Sequence, residues 1–242
     1  ISNNIANMNT VAFKRQRAEF QDLLYMTLEQ AGAQSSDQGT IVPTVVQVGA
    51  GVKACSVYRI ATQGSLTRTD NQYDIAINGR GYLQVLLPSG SNGYTRAGNL
   101  SVNDQGQLVT QDGYQIQPAI SIPQDATNVT ISKSGQVQVT QPGNPTPTVI
   151  GTLELATFMN EGGLSAQGAN LFLETGASGA PTTGAPGTAG LGALEQGYTE
   201  ASNVDSVTEI TALIVAQRAY EMNSKVISTA DNMLGVASQV KS

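Results

Sequence analysis

The chain has 242 residues, 40% of them apolar, enough for one large or two small globular domains. Only 12% are charged, roughly half the usual ~25%, and the net charge of −6 argues against a nucleic-acid partner. With no histidine and a single cysteine, Cys55, the chain lacks the residues for Ser-His-Asp or Cys-His hydrolysis, imidazole base catalysis, His-ligated zinc or an intrachain disulfide.

The first residues, ISNNIANMN, place Ile1, Ile5 and Met8 on one helical stripe but surround them with asparagines, which favour helix ends over interiors. They are read as the last turns of a helix most of which precedes residue 1; there is no initiator methionine. Phe13, Lys14 and Arg15 then open a connection. From Ala18 to Glu29 the spacing of Phe20, Leu23, Leu24 and Leu28 fits a short helix or an extended arm, and residues 32–51 read as irregular or weakly β.

Residues 52 to about 175 are strongly β. Apolar runs or alternations of four to eight residues are separated by turn signals at Asn78-Gly79, Pro88, Asp104-Gln105-Gly106, Asp112-Gly113, Ser134-Gly135 and Pro142-Gly143. The expected product is a hairpin-rich antiparallel domain, since the strands are too closely spaced for βαβ crossovers. Residues 176–192, with six glycines and two prolines, read as a flexible loop where the chain leaves that domain.

A capping box, Ser206 with Glu209, opens the last element. No proline follows and the one glycine is Gly235, so a helix of roughly 50 Å is predicted to about Gln239. Leu213, Ala216, Tyr220, Asn223, Ile227, Ala230, Leu234 and Ala237 keep heptad spacing, with Asn223 suited to setting register. A second stripe includes Val215, Met222, Val226 and Met233. Gln217, Arg218, Glu221, Ser224, Lys225 and Ser228 complete a narrower polar arc. One short partner cannot cover so wide an apolar surface, so both the N-terminal helix and neighbouring subunits are expected against it.

Other motifs carry less. Gly49-Ala-Gly51 and Gly79-Arg-Gly81 lack the third glycine of a dinucleotide loop, and the run from Asn103 to Gly106 lacks the distal acid of a calcium loop. Asp70, Asp74 and Glu154 are solvated or turn acids, and aromatic residues for sugar stacking are scarce. No catalytic residue, cofactor or metal is expected.

The two ends, ISNNIANMNTVAFKRQRAEFQDLLY and EQGYTEASNVDSVTEITALIVAQRAYEMNSKVISTADNML, resemble the terminal signatures of the bacterial flagellar rod and hook proteins. The likeness continues through QGSLTRTDNQYDIAINGRGYLQV, GYTRAGNLSVNDQGQLVTQDGYQIQP and LATFMNEGGL, and so covers almost the whole chain. The stretch MTLEQAGAQSSDQGTIVPTVVQVGAGVK resembles the insertion that sets the distal-rod branch apart from the hook branch.

The resemblance implies a self-associating helical homopolymer exported by the flagellar type III apparatus. Its implied partners are proximal rod proteins, hook protein and the P and L ring proteins, at the basal body beneath the hook. Under this reading the fold is α+β and mainly β, with a β domain inserted between terminal helical segments that form a coiled-coil-like core. Residues 1–30 and 203–242 form that core, 31–65 and 193–202 a connecting brace, and 66–192 the outer β domain. Ile1, Ile5, Met8 and Phe13 with Leu213, Val215, Ala216, Tyr220, Met222, Asn223, Val226, Ile227, Ala230, Met233 and Leu234 are the expected subunit interface. The alternatives are a proximal-rod or hook member of the family and a cell-surface β binding module.

Overall fold

A computed structural model describes residues 1–29, 31, 44–188 and 190–240. Most of the segment read as irregular, residues 32–43, lies outside them. The chain divides into two compact units, residues 16–59 and the remainder, Ile1–Arg15 with Ile60–Ser242.

In the smaller unit, residues 18–29 are extended rather than helical. Strand β1 (Gln16–Asp22) pairs antiparallel with β4 (Val52–Arg59), and β2 (Tyr25–Glu29) with β3 (Val46–Gly49). Among the described residues neither two-stranded ribbon buries a face. Phe20, Leu24, Met26, Val52 and Val57 are all more than 60% exposed, as is reasonable for paired strands with no third layer.

The larger unit begins with a short helix α1 (Ser2–Ala6). The strands β5 (Leu66–Arg68), β6 (Ile75–Asn78), β7 (Tyr82–Leu86), β8 (Asn92–Thr95), β9 (Ser101–Val102), β10 (Leu108–Val109) and β11 (Gln115–Gln117) follow. Next come β12 (Asn128–Ile131), β13 (Gln136–Gln141), β14 (Asn144–Thr152), β15 (Leu155–Thr157), β16 (Ser165–Gly168) and β17 (Leu171–Leu173). The last are β18 (Thr182–Gly184), β19 (Ala193–Gln196) and β20 (Tyr198–Glu200), before helix α2 (Ser206–Val240).

A nine-stranded sheet runs β16-β17-β8-β7-β11-β10-β9, with β15 pairing both β7 and β18. A three-stranded meander β12-β13-β14 and the pairs β6-β19 and β5-β20 complete the body. The strand pairings among the described residues are antiparallel, as hairpin-length connections require. The turn glycines do the expected work: Gly106, Gly113, Gly135 and Gly143 all have φ between 79° and 89°. The residues read against a calcium loop form one of these turns, where Asn103 Oδ1 accepts from the backbone N–H groups of Gln105 and Gln107.

The alternating residues fill one core. Ile75, Ile77, Leu83, Val85, Val137, Leu153 and Leu155 are fully buried, and a smaller aromatic cluster joins Tyr82, Tyr94 and Phe158 edge to face. Leu83→Ala is expected to cost about 2–5 kcal/mol in urea unfolding, because that core cannot collapse around the lost atoms.

Residues 176–192 do not lead out of the β body. Strand β18 pairs with β15, Leu191 joins the core, and β19 and β20 follow before the chain leaves. Composition alone hid this, because the small residues that suit a linker also suit close backbone approach: a Cβ on Gly192 would lie 2.6 Å from Asn78 O.

Candidate functional site

Helix α2 starts where Asp205, rather than Ser206, caps it. The carboxylate accepts from the Thr208 hydroxyl and from Val207 N at 3.1 Å, and these bonds, the first above all, hold its pKa below the ordinary aspartate value. That stabilisation is present above the unfolded-state pKa of aspartate and is lost as pH falls through the lower folded-state value. The Val207 amide resonance is therefore expected to move below about pH 4, and to lose that acid transition in Asp205→Asn.

Glu209, expected to reach back to the cap, turns the other way. It is 2% exposed and accepts from Arg15 Nε at 2.6 Å. A buried carboxylate is tolerable only when paired, and the pairing residue lies 194 positions away in sequence.

Beyond this first turn the helix separates from the β body. Leu213 and Ala230 are half-buried, whereas Val215, Ala216, Tyr220, Met222, Asn223, Val226, Ile227, Met233 and Leu234 are exposed. Tyr220 is 77% exposed and Leu234 70%. Helix α1 lies against α2, with Ile1 and Met8 exposed and Ile5 and Phe13 half-buried. The predicted positions are thus brought onto one element and its short neighbour, with most of their apolar area facing solvent. In dilute monomer, amide exchange is expected to be slow in β7 and β13, intermediate over 206–213, and fast from about residue 214 to 240. A helix without tertiary cover is marginal in water.

A second cluster was not anticipated from sequence. Glu200, with a fully buried side chain, accepts from Lys14 Nζ at 2.6 Å and Gly64 N at 2.9 Å through Oε1. Its Oε2 accepts from Arg96 Nε at 2.9 Å and lies 2.8 Å from the terminal nitrogen Nη2. Arg96 also donates to the carbonyls of Gly79 at 3.0 Å and Gly81 at 2.9 Å. Burial, and then the Arg96 charge, hold the Lys14 pKa below its ordinary value, and Glu200 opposes them. Asn203 adds a neutral counterpart, donating to the carbonyls of Ile60 and Thr62 at 2.9 Å and accepting from Arg15 N at 2.7 Å. No local sequence signal marks Glu200 as buried, since its partners come from positions 14, 64 and 96.

Neither cluster places a nucleophile beside a base, and no group of metal-ligating side chains occurs among the described residues. What the surface presents is apolar helix. Two family models match the chain: the flagellar hook protein FlgE/F/G D1 domain over residues 76–139, and the flagellar basal body rod FlgEFG protein C-terminal region over residues 195–240. The flagellar basal-body rod protein FlgG of Caulobacter vibrioides is 69% identical over the whole chain and 92% of its own length. The chain belongs to the FlgG family of flagellar basal-body rod proteins.

FlgG proteins of Borreliella burgdorferi and Bacillus subtilis are 44% and 38% identical, over 100% and 97% of this chain and 91% and 89% of their own lengths. Membership of the FlgG family makes the chain a structural protein of the flagellar basal-body rod. The C-terminal family match falls on the end of β19, on β20 and on all of α2, so the exposed helix is part of what defines the family.

Proposed function

We propose that this FlgG-family chain is the distal-rod subunit, polymerising into a helical tube that transmits torque from motor to hook. The observation that carries the proposal is α2: a 35-residue helix whose two apolar stripes are mostly exposed in the single chain. Monomeric proteins rarely expose so large an apolar surface without a partner. Repeated copies burying it through a head-to-tail contact that does not close would form a filament.

On this reading α1 and α2 form the inner wall, residues near 12–60 brace neighbouring subunits, and the β body faces outward. The polymer continues the proximal rod, is continued by hook protein, and turns within the P and L rings. Export through the type III apparatus suits a chain whose lone cysteine is free and which has no disulfide to break. The low charge density leaves few ionic contacts to hold a rotating surface against its rings.

Electron microscopy of concentrated purified protein tests the proposal. Helical tubes are expected above a critical concentration; a chain that stays monomeric at every concentration, with or without a rod fragment as seed, overturns it.

A further inference from the structure

Helix α2 leaves the β body through one narrow crossing. Its last buried residue is Glu209, and from Ile214 onward the described helix is exposed apart from half-buried Ala230. Three stretches of chain meet at the crossing: residues 12–15, residues 60–65, and residues 200–205 leading into the helix.

Each pair of stretches is tied. Between the first and third, Ala12 N donates to Glu200 O at 2.8 Å and Lys14 pairs with the Glu200 carboxylate. Between the second and third, Ala201 N donates to Ser65 O at 2.8 Å, and Gly64 N and the Asn203 amide complete the seam. Between the first and second, Ile60 N donates to Arg15 O and Lys14 Nζ to Thr62 O, both at 2.8 Å. The triangle is closed on all sides. Arg15 extends it to Glu209 in the first turn of α2, and Arg96 extends it through Glu200 to the backbone between β6 and β7.

We infer that this junction is a stiff joint, which sets the direction in which α2 leaves the β body by hydrogen bonds and ion pairs. Its use, though not its geometry, rests on the torque-transmitting role proposed above. The physical reason lies in directionality. A hydrogen bond weakens steeply once its angle departs from linear, whereas apolar contact has no preferred direction and permits swivelling. A closed triangle of such bonds cannot rotate about one edge without misaligning the others.

Two further features fit. Gly64 lets the second and third stretches approach, since a Cβ there would stand 1.9 Å from Ala201 O. Ala12 sits in the left-handed region at φ 58° although it is not glycine, a conformation that persists only where surroundings over-determine it. Here its N–H is held by Glu200 O, and the preceding carbonyl, Val11 O, accepts from the Asn170 amide at 2.9 Å. In a rod, load passing between inner helices and outer β body would cross this joint in every subunit.

The test is a distance measurement on dilute full-length protein. Spin labels at Ile210→Cys, in the second turn of α2, and Ser89→Cys, in the exposed turn after β7, are introduced in a Cys55→Ser background. Pulsed electron paramagnetic resonance is expected to read one narrow distance distribution, unchanged by Val226→Asp with Ile227→Asp on the outer helix. Arg15→Ala with Asn203→Ala, which leaves the buried Glu200 cluster intact, is expected to broaden it, with protection of β7 against amide exchange retained. A broad distribution in the parent, or a narrow one that survives the double substitution, overturns the joint. A narrow parent distribution in protein that never polymerises refutes the rod reading and leaves the joint standing.

Discussion

Glu200→Gln is expected to lower the free energy of unfolding by about 3–5 kcal/mol, the usual cost of breaking a buried ion pair from one side. The isosteric change keeps the shape and removes the one negative charge shared by Lys14 and Arg96, whose side chains are 5% and 4% exposed. Two cations would then face each other in a site closed to water. Lys14→Met is expected to cost less, because Arg96 still neutralises Glu200 and the repulsion between the cations is gone. Urea unfolding followed by circular dichroism checks both. Equal costs would mean that Glu200 acts as a hydrogen-bond acceptor alone, and the electrostatic account of the cluster would fail.

Val226→Asp with Ile227→Asp is expected to abolish assembly and leave the β body untouched. Both side chains are about two-thirds exposed in the single chain, so unfolding should shift by no more than about 0.5 kcal/mol. In a polymer that buries them, each substitution forfeits roughly 1.5–3 kcal/mol of apolar burial and adds several kcal/mol for a desolvated carboxylate. A deficit of even ~4 kcal/mol per contact raises the critical concentration by about three orders of magnitude. Sedimentation and electron microscopy would show monomer, and a strain carrying the variant would be non-motile. Ser224→Asp, on the polar arc, is the control expected to assemble. Tubes formed by the double variant would show that the two stripes are not the assembly surface.

Much of this molecule is legible residue by residue because the deciding interactions are local. The hairpins follow from glycines such as Gly113 and Gly135, which supply positive φ at little cost beside strands that alternate apolar and polar residues. Helix α2 follows from the absence of proline across a region of unbroken heptad spacing, and it runs to Val240 as expected within a residue. The exposed apolar stripes follow from the same periodicity, since no second stretch of comparable apolar helix exists among the described residues to cover them.

The departures share one cause. Ser206 and Glu209 match a capping box by spacing, yet a carboxylate goes where the strongest partner is, and Arg15 arrives from the far end of the chain. Spacing left residues 18–29 open to a short helix or an extended arm, and pairing with residues 46–59 decides for strands. Residues 176–192 have a linker's composition and are nonetheless stitched into the sheet by β15 and Leu191.

The antiparallel β body, the long terminal helix and its surplus of apolar surface can be read from the residues in order, because periodicity and turn chemistry are properties of neighbours. Which charges are buried together, where the helix cap lies and how α2 is tied to the β body emerge only once the chain has folded. Those depend on contacts across up to 194 positions, and no local pattern encodes which distant partner a buried charge will meet.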